Sequence, residues 1–176
     1  MPDLRNKSPS PESLSGSAMN RDPSRDSGWM EPIARVLDAH DLRGNFLICL
    51  QTYRPHAVGM IASEFDLDFL DFRANYMMPL GPKAGQITLR HLNEVMSGHS
   101  KERGAIFHNV EALLATKTRQ ERTAWLGQFV AHTSGNPIVI PLSIFCIDAP
   151  ASSDRIAWVE PTSVPEEKLL TRLARQ

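Results

Sequence analysis
"NFLICLQTYRPHAVGMIASEF" (residues 45–65) decides the fold of this chain. Its core, "FLICL" (46–50), is a continuous apolar run, the mark of a strand buried on both faces. Pro55 then breaks the run, and Val58, Ile61, Ala62 and Phe65 recur at helical spacing. A buried strand feeding an amphipathic helix is the repeating unit of α/β proteins.

The same alternation continues on either side. Upstream, "WMEPIARVLDAHD" (29–41) puts Pro32 in a first helical turn, with Ile33, Val36, Leu37 and His40 on one face. Downstream, "LDFLDF" (67–72) is strand-like, and Pro79, Gly81, Pro82 and Gly85 punctuate a loop over 77–86. "TLRHLNEVMSG" (88–98) predicts a helix with Leu89, Leu92, Val95 and Met96 inward and Gly98 near its end. "GAIFHNV" (104–110) predicts a further buried strand. A helix is expected over 118–136, with Trp125, Leu126, Phe129 and Val130 inward and Gly135 and Asn136 closing it. A strand lies within 137–147, with Pro141 at its end or at a bulge. "DRIAWVE" (154–160) is a candidate edge strand, and "VPEEKLLTRLARQ" (164–176) a terminal helix. The alternation predicts one three-layer α/β domain with a mostly parallel sheet over residues 29–176.

Residues 1–28 are rich in Ser and Pro and lack the apolar side chains that offset the entropy of ordering, so a disordered tail is expected. Its charges cancel: Arg5, Lys7, Arg21 and Arg25 face Asp3, Glu12, Asp22 and Asp26. That balance argues against a basic nucleic-acid arm. Over the whole chain, 19 Lys and Arg oppose 20 Asp and Glu, a net charge of -1 that gives no support to tight non-specific nucleic-acid binding. No signal-peptide core and no apolar run of membrane-spanning length occurs, so a cytoplasmic location and no membrane partner are expected. Cys49 and Cys146 each sit in an apolar run and read as buried thiols, with a disulfide between them as the lesser alternative.

Ligands of an open parallel sheet bind at the carboxyl ends of its strands. A phosphate-cradling loop there needs glycines to turn N–H groups inward, a Lys for charge and a Ser or Thr for Mg²⁺. "QTYRPHAV" (51–58) has none of these glycines, and Ala57 and Val58 hold the Lys and Ser/Thr places. Arg54 and His56 still stand beside a helix N-terminus, where they could contact an anion; the plainer reading is solvated turn residues. The second strand end carries His108, Asn109 and Glu111, in the region where a nucleotide hydrolase keeps an Asp for Mg²⁺ and a polarising acid. His108 is a poor partner for that hard ion. The plainer reading is a strand-end cluster that starts the next segment. Ser143, after "IVIPL" (138–142), stands where a polar γ-phosphate sensor could stand.

Asp66 and Asp68 share a strand face, as two-metal sites sometimes require, but solvated carboxylates at a strand start explain them as well. The six histidines form no zinc spacing with each other or with cysteine, so no metal site is expected. Ser134-Gly135 lacks the second glycine and the preceding strand of a nucleophile elbow. Lys117, Arg119 and Arg122 could touch a phosphate backbone or an acidic partner, or form an ordinary solvated helix start.

Taken in series, "FLICL" and its loop, "LDFRANYMMPL", "IFHNVEALLA", "NPIVIPLSI" and "IAWVEP" resemble the BrxF family, small AAA-type P-loop proteins of type 3 BREX phage-exclusion systems. The resemblance covers residues 31–165. Asn109, Val110, Glu111, Leu113 and Leu114 match its Asp-Asn-aliphatic-Glu motif and following leucines, except that His108 replaces the Asp. Ser143 takes the sensor position and Glu160-Pro161 matches its last strand, while the glycine-rich phosphate loop is gone. The resemblance implies a degenerate P-loop NTPase fold that no longer hydrolyses ATP and serves as a docking or regulatory subunit beside other proteins. Two alternatives stay open. One is an active ATPase that holds ATP and Mg²⁺ with Arg54, His56, His108, Asn109, Glu111 and Ser143. The other is a nucleic-acid-contacting subunit working through Lys117, Arg119 and Arg122.

Overall fold
The structure, a computed structural model, describes residues 28–164. The expected tail, apart from Gly28, and the expected terminal helix beyond Val164 lie outside the described residues. The strands are β1 (Asn45–Cys49), β2 (Asp68–Asp71), β3 (Ala105–His108), β4 (Ile138–Leu142) and β5 (Ile156–Trp158). The helices are α1 (Glu31–Asp38), α2 (Pro55–Glu64), α3 (Leu89–His99), α4 (Glu111–Leu114) and α5 (Arg119–Val130). The sheet order is β2-β3-β4-β1-β5 and every pairing is parallel.

Strand alternation builds two cores. Phe46, Ile48, Ile106, Val139 and Ala157 point to one face, where Ile33 and Leu37 of α1 and Val58 and Ile61 of α2 cover them. Leu47, Cys49, Phe107, Ile140 and Ile156 point to the other, beneath Leu92 and Met96 of α3 and Trp125, Leu126 and Phe129 of α5. A five-stranded parallel sheet with helices on both faces is therefore a three-layer α/β domain, as the alternation predicts. The continuous apolar runs of β1 and β4 follow from this, since both strands are central and buried on both faces.

Pro141 sits inside central β4, opposite Ile48 of β1, where a proline is unexpected. The ladder explains it. Leu142 O accepts from Leu50 N and Ile138 N donates to Gly44 O, so the even-numbered residues of β4 bond toward β1. Pro141 therefore turns its missing N–H toward β3, where pairing already stops at Ile106 and Val139. The β3–β4 ladder thus ends where Pro141 has no N–H to continue it, while the β1 side is unaffected.

Helix starts follow local chemistry. Thr118 and Glu121 form a reciprocal capping box at α5, and Thr88 Oγ1 accepts from His91 N at α3. Two expectations need correction. Helix α5 ends at Val130, not near Asn136. His132 O and Gly135 O instead accept from Asn45 N and Gly44 N, which pulls 131–136 into a turn ahead of β4. The expected loop over 77–86 is instead two helical turns, Arg73–Met77 and Met78–Gln86, broken at Gly81, which has φ 52°. Asp71 Oδ1 caps the first turn by accepting from Ala74 N at 2.9 Å. Strands β2 and β5 are the two edges, β5 as predicted. No described helix is long and apolar enough to cross a membrane.

Candidate functional site
Because β4 lies between β1 and β3, the carboxyl ends of these three strands are neighbours. Together they form a small cleft. Tyr53, Arg54 and Val58 come from the β1–α2 segment, His108, Asn109 and Glu111 from the end of β3, and Pro141 and Ser143 from β4. Five of the expected site residues thus meet: Arg54, His108, Asn109, Glu111 and Ser143. His56 does not, because it is exposed on the first turn of α2.

Side chains within the cleft satisfy one another. His108 is 5% exposed. Its ring stacks beneath Tyr53 at 5.5 Å between centroids and meets Phe69 at 5.7 Å. Its Nε2 is 3.2 Å from Tyr53 Oη, and that hydroxyl is 3.2 Å from Asn109 Oδ1. A phenol has one proton, and Asn109 Oδ1 can only accept. The hydroxyl therefore donates to Asn109 and accepts from His108, which sets the Nε2–H tautomer. Asn109 Nδ2 in turn donates to Asp71 Oδ2 at 2.8 Å. One directed chain of hydrogen bonds runs from the buried imidazole to the Asp71 carboxylate, across the ends of β3, β1 and β2. Asn109 has φ 60°, which its short polar side chain tolerates, and this places it at the bend.

Glu111 closes the other wall. Its Oε1 accepts from three successive backbone groups, Ser143 N at 3.0 Å, Ile144 N at 2.7 Å and Phe145 N at 2.9 Å. The carboxylate thus fills an anion nest built by its own chain. Between the two walls, the cavity measures about 10 Å³, room for about one water molecule.

Burial pushes the His108 imidazole below its ordinary range, and the Asp71 and Glu111 carboxylates pull back more weakly. Between that lowered pKa and the ordinary 6.5, the unfolded chain holds a proton that the folded one refuses. Stability is therefore full above about pH 6.5 and falls as the pH drops through that window. Urea unfolding at pH 7 and pH 5 should show this loss in the natural protein and a smaller one in His108→Gln. Equal losses in both would contradict a neutral buried imidazole.

No protein-family model, curated protein or solved structure matches this chain.

The basic segment is engaged internally. Lys117 Nζ donates to Ile87 O at 3.2 Å. Arg122 Nε meets Asp148 Oδ2 at 2.6 Å, Arg122 Nη1 donates to Lys117 O at 2.7 Å, and the guanidinium lies 4.2 Å above the Phe145 ring. Arg119 Nε is 3.1 Å from Asp148 Oδ1, an ion pair whose N–H is not aimed at the oxygen. Arg122, only 14% exposed, is thus a mostly covered structural ion paired with the buried Asp148, and not an outward-facing basic residue. Asp66 and Asp68 share Arg103 as their ion-pair partner. Among the described residues no group of three or more His, Cys, Asp or Glu is disposed to hold a metal ion.

Cys49 and Cys146 are free and buried, as their apolar runs predict. The neighbouring Cys146 thiol, together with burial, holds Cys49 far above the ordinary thiol range. Three site residues escape the sequence reading: Tyr53, Asp71 and Phe69. Tyr53, two residues past the glycine place that Gln51 occupies, carries no local signal beyond being an aromatic residue in an otherwise polar strand-end loop.

Proposed function
We propose that this protein is a degenerate AAA-type P-loop domain without ATP turnover, a docking or regulatory subunit of a bacterial multi-protein assembly. The serial order of motifs that resembles the BrxF family points to phage defence and to a cytoplasmic setting. The observation that carries the non-catalytic reading is the occupied cleft. A nucleotide needs a pocket of some hundreds of Å³ and free polar groups to meet its phosphates. Here Asn109 is tied to Asp71, His108 and Tyr53 are tied to each other, and Glu111 is committed to three backbone N–H groups. A catalytic Glu must be free to orient water, and one oxygen of this one, Oε1, is already taken up by three backbone donors.

The docking half of the reading rests on exposed apolar side chains at the same end of the sheet. Tyr53 (57% exposed), Ile144 (72%), Ile147 (77%) and Trp158 (43%) follow or end β1, β4 and β5. Such residues around a filled cleft suit a protein partner better than a small charged substrate.

Calorimetry of the full chain with ATP and Mg²⁺ tests the first half, and no saturable heat is expected up to about 1 mM nucleotide. Micromolar binding abolished by Arg54→Ala or His108→Ala would favour the active ATPase. A salt-sensitive DNA gel shift lost in Lys117→Ala/Arg119→Ala would favour the nucleic-acid alternative. For the second half, tagged protein should co-purify with products of neighbouring genes, and Ile144→Asp/Trp158→Asp should break that association without lowering the melting temperature.

A further inference from the structure
The opposite end of the sheet holds a second site. A cavity of about 270 Å³ opens between α3 and α5, beneath Asn45 and Ile138 at the amino ends of β1 and β4. Its wall residues Ser97, Ser100 and His132 also line a shallower groove of about 550 Å³, whose mouth carries Arg43 and Lys101. We infer that this continuous groove binds a small organic anion with a flat apolar body, such as an aryl phosphate or aryl carboxylate.

The inner chamber selects the body. Trp125 and Phe129 stack at 5.3 Å and are 5% and 4% exposed. With Met96 and Ile138 they give the chamber an apolar wall that suits a flat apolar body. The indole is held in place, because Trp125 Nε1 donates to Asn93 Oδ1 at 2.9 Å. Asn45 Nδ2 is likewise committed to Phe129 O at 3.0 Å. Among the described residues, the side chains of Ser97, Ser100 and Gln128 engage no hydrogen-bond partner, so the rim keeps donors and acceptors for a polar edge.

The mouth selects the charge. No Asp or Glu lines either chamber, and among the described residues Arg43 and Lys101 form no ion pair. Two unpaired cations above an acid-free slot complement a carboxylate or phosphate. Backbone hydrogen bonds frame the groove. Gly44 N donates to Gly135 O at 3.1 Å, Asn45 N to His132 O at 2.9 Å and Asn136 N to Ser100 O at 2.9 Å. Gly135, with φ +85°, keeps the mouth open, since a Cβ there would stand 3.0 Å from Ser100 Oγ. A preformed groove spares the ligand the entropy of ordering it. The inference does not depend on the cleft at the carboxyl ends, which lies across the sheet.

The test is an NMR titration of the full chain with phenyl phosphate, phenol and inorganic phosphate. Phenyl phosphate should give saturable shifts at the Trp125 indole N–H and the Ser100 and Gly135 amides, with Kd on the order of 0.1–1 mM for so small a probe. Phenol and inorganic phosphate should each bind at least about tenfold more weakly. Arg43→Ala/Lys101→Ala should weaken phenyl phosphate by about tenfold or more. Ser97→Trp, at an exposed position on α3, should fill the slot and abolish the shifts, and Gln128→Trp repeats the block from α5 if the first variant melts early. The inference fails if no shift saturates below about 10 mM, if inorganic phosphate binds as tightly as phenyl phosphate, or if phenol does.

Discussion
Replacing Arg122 with methionine is expected to lower the unfolding free energy by about 3 kcal/mol, the cost of taking the partner from a buried carboxylate. The side chain of Asp148 is 1% exposed, so its charge has no water to fall back on. Arg122 supplies the directed 2.6 Å bond to it, whereas Arg119 is 71% exposed and aims its N–H elsewhere. Methionine keeps the apolar stem over Phe145 but leaves the carboxylate almost alone. Arg119→Met should cost well under about 1 kcal/mol, as exposed pairs do. The decisive measurement is the double-mutant cycle with Asp148→Asn. Removing both charges together should cost less than the sum of the two single losses, because the second removal relieves the orphaned charge that the first creates. Additive losses would mean that the pair is not the unit holding the 143–148 turn against α5.

Much of this architecture is legible because it rests on local periodicity. "FLICL" can only be comfortable where both faces are covered, and β1 is flanked by β4 and β5 with helices on each side. Trp125, Leu126, Phe129 and Val130 mark the buried face of α5 by their spacing alone. The end of α5 is not legible, since Gly135 and Asn136 look like a helix stop but belong to a turn fixed by bonds to Gly44 and Asn45. Those partners are remote in sequence, and no local rule contains them. Position 141 shows the same limit, because a proline in a central strand is tolerated here only because its missing N–H faces β3, where the ladder ends, and not β1.

The candidate site divides along the same line. Strand ends are predictable, so His108, Asn109, Glu111 and Ser143 are expected near one another, and they line one cleft. Which of them remain available for chemistry is not predictable. Tyr53 and His108 are 55 positions apart, and Asn109 and Asp71 38 apart, yet these pairings decide whether the cleft is open. Arg122 illustrates the converse. In the sequence it belongs to a basic run, but its partner Asp148 arrives only with the turn after β4 and draws it mostly out of solvent.

Glu111→Ala should lower stability by about 2–3 kcal/mol and release the 143–145 backbone. One carboxylate oxygen there accepts from Ser143 N, Ile144 N and Phe145 N, and no other acceptor faces those three groups in the bonding pattern. Ile144 is exposed and its N–H can turn to water, but the bonds at Ser143 and Phe145 are partly buried and would be left unmet. Glu111→Gln keeps an amide oxygen in the same place and loses only the charge, so about 1 kcal/mol is expected. Amide exchange reads the mechanism directly. The 143–145 amides should lose protection in Glu111→Ala and keep most of it in Glu111→Gln, and Cys146, one residue beyond, should become reactive toward a thiol reagent in the alanine variant. A glutamate held for catalysis would give the opposite pattern, with little change in stability or exchange in either variant. Wild-type protection of 143–145 in Glu111→Ala would therefore overturn the structural role of Glu111 and, with it, the strongest argument that this cleft does no chemistry.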